Sequence, residues 1–207
     1  MKKSAFFILG ILVVLFFTAC PTEPKDLPVN TIRWQSDGSG FTQFYTNDPQ
    51  YYDYGFWAHF VDHSENETFE IELKRISGYN HVGYGMIFGA DNASTTRHYV
   101  FLITNTGYYY IYSRDNSTYK DITTQENGNP WIYNPSLINA GNNQINKLKV
   151  TRNGNEYTAY INNTEVIKFT DATVTGGNRY GPYAGVGLAA NEDFPNTPVD
   201  LRFRRIP

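Results

Sequence analysis

The stretch that decides the fold runs from residue 146 to residue 163 and reads NKLKVTRNGNEYTAYINN. Apolar residues alternate with more polar ones over 147–151 and again over 156–161. Successive side chains of a strand point to opposite faces, so each segment has one apolar and one polar face. Asn153-Gly154 is a strong hairpin signal, and Asn162-Asn163 can form a second turn because asparagine tolerates positive φ. The stretch therefore predicts antiparallel strands joined by tight turns.

A second hairpin is predicted where segments 99–104 and 108–113 flank the loop Asn105-Thr106-Gly107. In a three-residue loop of this kind, glycine usually takes the left-handed position of a bulge. The predicted cross-strand pairs are Ile103 with Tyr109 and Phe101 with Ile111. The residues that then share the opposite face are Leu102, Tyr108, Tyr110 and Tyr112.

The rest of the chain supports an all-β domain. Aromatic residues make up 16% of the chain, with 17 Tyr and 17 Gly, and no segment has strong helical periodicity. In 69–74 apolar residues alternate with charged ones, and a glycine-rich loop at 176–181 leads into a predicted strand at 184–190. Short strands separated by Asn and Gly turns favour a sandwich of two antiparallel sheets.

The N-terminus has the layout of an export signal. Lys2 and Lys3 precede an apolar run from Ala5 to Phe17, which is shorter than the about 20 residues that a spanning helix needs. We expect residues 1–19 to be removed and residues 20–30, which contain three prolines, to form a tether. Residues 31–207 then form one domain. The formal charge of the chain is −3 and no basic patch occurs, which argues against nucleic acid as a partner.

The segment Phe17-Thr18-Ala19-Cys20 resembles the lipobox of bacterial lipoproteins, with Phe17 in place of the usual leucine. The resemblance implies acylation of Cys20, the only cysteine, and attachment of the chain to a lipid bilayer. It places the protein in the bacterial cell envelope, either in the periplasm or on the surface. The alternative is an ordinary signal peptide in which the cysteine has no role.

Several local patterns, taken in order, resemble the concanavalin A-like lectin/glucanase fold, and most closely the laminin-G-like domains of bacterial lipoproteins. They are 83–88 (GYGMIF), 99–103 with 107–109, 146–163, and 183–188 (YAGVGL). The resemblance covers about residues 34–206 and implies an all-β, two-sheet antiparallel jelly-roll sandwich. It also implies glycan binding or glycoside hydrolysis as functions.

The acidic residues of one strand are the candidates for hydrolysis. Related glucanases carry the pattern ExDxE, and Glu70 and Glu72 have its period-two spacing. Position 74 is Lys, which favours the ionised form of both acids, whereas retaining hydrolysis needs one carboxyl to be protonated. We expect a solvated strand face. The hydrolase alternative requires one of these acids to lie in a cleft beside Trp57 or Trp131.

The sequence predicts no required cofactor and leaves calcium as a candidate. His59 and His63 are four residues apart, but position 60 is Phe, so no HExxH zinc motif exists. Oxygen-bearing side chains in predicted loops suit calcium, although they are also ordinary turn formers. They are Asp91, Asn92, Asp115, Asn116, Asp171, Asn191 and Asp193.

Aromatic side chains provide the candidate binding site. Tyr108, Tyr110 and Tyr112 form a row on one strand face, and Trp131 lies in a Pro-flanked segment. Flat rings beside amide and carboxylate groups suit sugars, while core packing is the competing interpretation, favoured for Trp57. We predict a membrane-anchored, non-catalytic domain that binds glycan. The alternatives are a glycoside hydrolase and an envelope structural or protein-interaction module.

Overall fold

A computed structural model describes residues 32–48, 55–58, 62–64, 66–91, 96–174, 177–186 and 198–206. Cys20 and the tether at 20–30 lie outside the described residues, as do His59, Asn92, Asn191 and Asp193. The described part of the chain contains no helix that is long and apolar enough to cross a membrane.

The described residues form strands and the turns between them. The strands are β1 (Ile32–Ser36), β2 (Thr42–Thr46), β3 (Gly55–Ala58), β4 (Asp62–His63), β5 (Thr68–Ser77), β6 (Tyr84–Ala90), β7 (Arg97–Ile103), β8 (Tyr108–Asp115), β9 (Thr118–Asp121), β10 (Ile132–Tyr133), β11 (Asn146–Asn153), β12 (Glu156–Ile161), β13 (Thr164–Thr170), β14 (Arg179–Val186) and β15 (Val199–Arg205).

These strands form two antiparallel sheets. The seven-stranded sheet has the order β1-β2-β15-β5-β11-β12-β13. The eight-stranded sheet has the order β10-β8-β7-β6-β14-β3, with β4 paired to β14 and β9 paired to β8. The two sheets make an all-β jelly-roll sandwich, which confirms the predicted fold class.

The β7–β8 and β12–β13 hairpins form as the alternation and the turn residues predict. Tyr109 pairs with Ile103 and Ile111 pairs with Phe101, and Gly107 has a φ of +89° in the connecting loop. Asn162 and Asn163 both have positive φ and join β12 to β13. This sign of φ at both positions is the pattern of a type I′ turn.

Two predicted boundaries were wrong. In the β11–β12 hairpin, Asn153 pairs with Glu156, so the loop residues are 154–155 and not 153–154. Strand β14 begins at Arg179, earlier than the predicted start at 184, and the pairing of Arg179 and Gly181 with β6 contains a register shift. A bulge of this kind accommodates Gly181, one of the glycines that signalled a loop in the sequence.

The core lies between the inner faces of the two sheets. Phe69, Ile71 and Leu73 of β5 are buried, while the acidic residues between them are half-buried on the outer face. Rings from the two sheets meet inside, as in the contact of Phe69 with Phe88 at 5.6 Å between centroids. The same alternation turns Arg75 inward, where it is fully buried.

Asp171 closes one end of the sandwich through hydrogen bonds. Its carboxylate accepts hydrogen bonds from the Tyr99 hydroxyl at 2.8 Å and the Thr173 backbone N–H at 2.7 Å, and it pairs with Lys120. Burial by itself would raise the pKa of Asp171, but these three donors outweigh it and lower the pKa from 3.8 to about 2. The folded state therefore favours the ionised carboxylate.

We expect Asp171 to make folding stability acid-sensitive. A carboxyl whose pKa is lowered on folding stabilises the protein above its unfolded pKa, and this contribution is lost as pH falls through the folded pKa. The free energy of unfolding of wild type should exceed that of Asp171→Asn by about 1–2 kcal/mol at pH 6, and the difference should shrink between pH 4 and pH 2. Urea titrations across this pH range test it. A difference that does not change with pH would contradict the assignment.

Candidate functional site

The outer face of the eight-stranded sheet carries a second apolar cluster. Its buried members are Ile87, Val100, Leu102, Tyr112 and Tyr183. Tyr110 and Trp131 pack against this cluster and are half-buried. The predicted tyrosine row therefore lies outside the core, on the face that the hairpin register assigned to it.

The rings on this face form a continuous series, which we call the aromatic track. Its members in order are Trp131, Tyr110, Tyr112 and Tyr119. Their successive centroid separations are 5.1 Å, 5.0 Å and 5.7 Å. Tyr108 lies at the Trp131 end of the same strand face, 4.8 Å from the ring of Tyr133. The track crosses strands β8 and β9.

Tyr112 supports the track from below. Its side chain is only 6% exposed, and its hydroxyl shares a hydrogen bond of 3.2 Å with the Tyr183 hydroxyl of β14. Burial, followed by the proximity of Tyr183, raises the pKa of Tyr112 and keeps the phenol protonated. Of the four predicted ligand-binding residues, Tyr108, Tyr110 and Trp131 keep exposed surface. Tyr112 is buried and supports the rings beside it.

Trp131 reaches this face because two short strands, β9 and β10, pair with different parts of the same edge of β8. β9 pairs with residues 112–115 of β8, β10 pairs with residues 108–109, and the loop 122–131 spans the gap. The buried Thr123 hydroxyl donates to the Pro130 carbonyl at 2.8 Å and accepts the Ile111 backbone N–H at 3.0 Å. These bonds fix the loop to β8 next to Trp131.

Gly83 makes room for the indole ring. A Cβ atom at this position would lie 2.8 Å from Cη2 of Trp131 and 3.0 Å from Cδ1 of Leu102. Real Cβ atoms do not approach other heavy atoms that closely. The absence of a side chain at Gly83 therefore allows Trp131 to lie on the sheet surface.

A pocket of about 290 Å³ opens beside Trp131 at the end of the track. Its lining residues are His81, Thr104, Thr106, Tyr108, Asn129 and Trp131. Two aromatic rings and four polar side chains thus face one small volume. Such a combination of apolar walls and a few polar groups is typical of small-molecule sites.

The loops under this pocket are tied to the core by a buried polar network. The Arg75 guanidinium donates through Nη2 to the Val82 carbonyl at 2.7 Å and lies 4.8 Å from the centroid of the Tyr84 ring. The Tyr84 hydroxyl donates to Oδ1 of Asn105 at 2.8 Å. Burial lowers the pKa of Arg75 from 12.5 to about 10, so the guanidinium is charged at neutral pH.

Asp121 adds a carboxylate beside the aromatic track. Its Oδ1 atom accepts a hydrogen bond from the Tyr110 hydroxyl, and Asp121 lies opposite Tyr112 in the β8–β9 pairing. The side chain is exposed. Sequence reasoning did not select Asp121, His81, Thr104, Thr106 or Asn129, because only the strand pairing and the loop contacts bring them to this face.

Glu70 and Glu72 do not lie beside Trp131, which is one of the two tryptophans beside which the hydrolase alternative would place them. They are on the outer face of the seven-stranded sheet, while Trp131 is on the outer face of the other sheet, with the core between them. Glu70 pairs with Lys147, and Glu72 pairs with Arg204. The side chain of Trp57 is outside the described residues, although its backbone lies in β3 of the eight-stranded sheet.

The candidate calcium ligands that the structure describes are spread over several sites. Asp115 forms an ion pair with Arg97 at 3.1 Å, and Asp171 pairs with Lys120. Asn116 has a φ of +54° and forms the turn between β8 and β9. Among the described residues, no group of three or more His, Cys, Asp or Glu side chains is placed to hold a metal ion.

A larger depression of about 590 Å³ lies at the β11–β13 end of the seven-stranded sheet. The aromatic residues in its lining, Tyr157 and Phe169, are stacked on each other at 4.9 Å. Tyr157 is almost fully buried and offers no ring face to a ligand. We therefore place the candidate site at the smaller pocket, where ring surface and polar groups are both accessible.

Comparison with solved structures supports the jelly-roll architecture. A β-glucanase from Bacillus licheniformis superimposes with a TM-score of 0.51 and 10% identity over 84% of this chain and 82% of its own. A mutant of the GH43 protein BlXynB from Bacillus licheniformis gives a TM-score of 0.50 and 11% identity over 83% of this chain and 34% of its own. The carbohydrate-binding module CBM66 from Bacillus subtilis gives 0.49 and 14% identity over 84% and 89%.

No protein-family model matches the chain, and no curated protein is similar to it in sequence. At 10–11% identity, the β-glucanase and the GH43 protein establish the fold only. Function has to be argued from the site itself.

We expect Thr123→Val to loosen the loop that carries Trp131. The substitution keeps the shape of the side chain but leaves the Ile111 N–H and the Pro130 carbonyl without their hydroxyl partner, which should cost about 1–3 kcal/mol in the free energy of unfolding. Thr124→Val is the matched control, because among the described residues that exposed hydroxyl bonds only to the adjacent Thr123 carbonyl. Equal urea midpoints for the two variants would show that the Thr123 bonds do not hold the loop.

Proposed function

We propose that this chain is a lipid-anchored, non-catalytic module that binds glycan on the outer face of its eight-stranded sheet. The observation that carries the proposal is the pocket of about 290 Å³ in which Tyr108 and Trp131 face Thr104, Thr106, Asn129 and His81. A sugar ring stacks its C–H face on an aromatic ring, and its hydroxyls need hydrogen-bonding partners around the rim. The pocket supplies both kinds of group.

The size and rigidity of the site favour a small saccharide. Small-molecule pockets usually measure about 300–1,000 Å³, so a pocket of about 290 Å³ suits one sugar ring. The half-buried Tyr110 continues the ring surface away from the pocket. Because the loop bonds of Thr123 and the space at Gly83 fix Trp131 in advance, little side-chain entropy is lost when a ligand binds.

The lining of the pocket favours binding over hydrolysis. Glycoside hydrolysis uses a pair of carboxyl groups about 5–9.5 Å apart. Within the described part of the chain, the pocket is lined by His81, three hydroxyl-bearing residues, one amide and one indole, and by no carboxylate. Glu70 and Glu72 lie on the other sheet, where each forms an ion pair with a basic side chain.

The membrane attachment is proposed from the N-terminal sequence. Two lysines, an apolar run, a Thr-Ala pair and Cys20 follow one another in the order of a lipoprotein signal. Several acyl chains on one cysteine would anchor the protein stably, whereas a single chain of myristoyl length anchors only marginally. The module would then present its glycan site from the bacterial cell envelope, at the end of the tether at 20–30.

We expect Trp131→Ala and Tyr108→Ala each to weaken glycan binding at least about tenfold, because each removes one wall of the pocket. A glycan array identifies the ligand, and isothermal titration with that saccharide gives the affinities. Tyr160→Ala is the control, since Tyr160 is a half-buried tyrosine on the outer face of the seven-stranded sheet. Circular dichroism and urea midpoints establish that all variants are folded. Equal affinities for all three would remove the site from this face.

We expect Cys20→Ser to shift the protein from the membrane fraction to the soluble fraction, because serine cannot form the thioether link to lipid. Mass spectrometry of the wild type should find residues 1–19 removed and fatty acid on Cys20. Thr18→Ser keeps a small residue before the cleavage site and should leave the modification unchanged. A wild-type chain that is unprocessed and carries no fatty acid would overturn the anchoring proposal while leaving the glycan site open to test.

A further inference from the structure

A carboxylate that the chain itself positions lies beside the aromatic track, next to Tyr110. Asp121 accepts a hydrogen bond from the Tyr110 hydroxyl through one oxygen, and the Tyr110 ring lies 5.1 Å from Trp131. An ionised carboxylate has room for about four hydrogen bonds on its two oxygens. The bond to Tyr110 therefore orients the carboxylate along the track and leaves most of its acceptor capacity for a ligand.

Among the described residues, no basic side chain neutralises the charge of Asp121. In the part of the chain that the structure describes, no Lys or Arg nitrogen lies within 4.0 Å of its carboxylate. The adjacent Lys120 points to the opposite side of β9, where it pairs with the buried Asp171. Arg114 lies beyond the far end of the track, held over the Tyr119 ring at 5.5 Å and bonded to the Asn116 carbonyl.

The geometry points to Asp121 as the residue that determines which sugars this face accepts: we infer that it binds chains of neutral or amino-bearing sugars and rejects acidic ones. This inference rests on the glycan-binding function proposed above. A ligand that stacks on Trp131 in the pocket and continues over Tyr110 brings its next sugar to the Asp121 carboxylate. Hydroxyl or ammonium groups donate to that oxygen, whereas a uronate or sulfate group faces a like charge.

The same geometry sets the number of sugar units that the face can hold. One ring is held in the pocket by Tyr108 and Trp131, and a second stacks on Tyr110 beside Asp121. Tyr112 is buried and gives no further stacking surface. The face therefore fits two consecutive sugars of a chain, and a monosaccharide reaches only the pocket.

The experiment compares three tetrasaccharide probes on the full chain by isothermal titration. The probes are a glucosamine tetramer, its N-acetylated neutral form and a galacturonate tetramer. Wild type should bind the first two and bind the galacturonate roughly tenfold more weakly or not at all. The advantage of the cationic probe over the neutral one should decrease as salt is raised, because the contact is exposed to solvent.

Asp121→Asn tests the residue, and Glu126→Gln is the matched control. Both remove one negative charge from exposed positions five residues apart, but Glu126 lies in the turn of the loop 122–131 and not on strand β9. Asp121→Asn should lose the preference for the cationic probe and gain affinity for galacturonate, while Glu126→Gln should behave as wild type.

The outcomes separate the two levels of the proposal. If no saccharide binds on the probes or on an array, the glycan-binding function itself fails. If saccharides bind but wild type takes galacturonate as well as the neutral probe, or Asp121→Asn leaves the preferences unchanged, the role of Asp121 is overturned and the pocket stands. Equal shifts in Asp121→Asn and Glu126→Gln would likewise overturn it, because the effect would then be one of net charge.

Discussion

The register of the β7–β8 hairpin is the constraint on which the rest of the structure depends. Gly107 has a φ of +89°, and a Cβ there would lie 3.0 Å from two atoms of Pro135, so the loop requires glycine for both conformation and space. The register directs Tyr109 and Ile111 into the core and Tyr110 outward. A shift of one residue would exchange the two faces, so the core and the aromatic track are set by the same turn.

The two apolar clusters have different physical roles. The inner cluster takes side chains from both sheets and is closed from solvent: Phe101 of one sheet and Leu148 of the other are both fully buried in it. The outer cluster is covered mainly by rings of its own sheet and of the loop 122–131, and its hydroxyls bond to one another, as Tyr112 does with Tyr183. Apolar surface that is partly covered by aromatic rings remains available to a flat ligand, whereas core surface does not.

The sequence was sufficient for the strands and for the face of the tyrosine row, because both follow from period-two alternation and from local turn chemistry. It was not sufficient for burial within that row, since Tyr112 is covered by Tyr183, which lies 71 residues away in the sequence. The start of β14 was missed because the glycines of 176–181 indicate a loop, whereas the strand begins at Arg179 and includes Gly181. Asp121 had no local signal, because its role depends on the pairing of β9 with β8.

Arg75 shows how the core is linked to the pocket. A fully buried guanidinium whose Nε and Nη1 have no hydrogen-bond partner among the described residues is costly, and an apolar side chain of similar volume would fill the same space at no greater cost in stability. The arginine instead bonds to the Val82 carbonyl, and Tyr84, on which it stacks, bonds to Asn105. Val82 adjoins His81, and Asn105 lies between the two threonines of the pocket rim, so the network joins both rim loops to the strands that form the core.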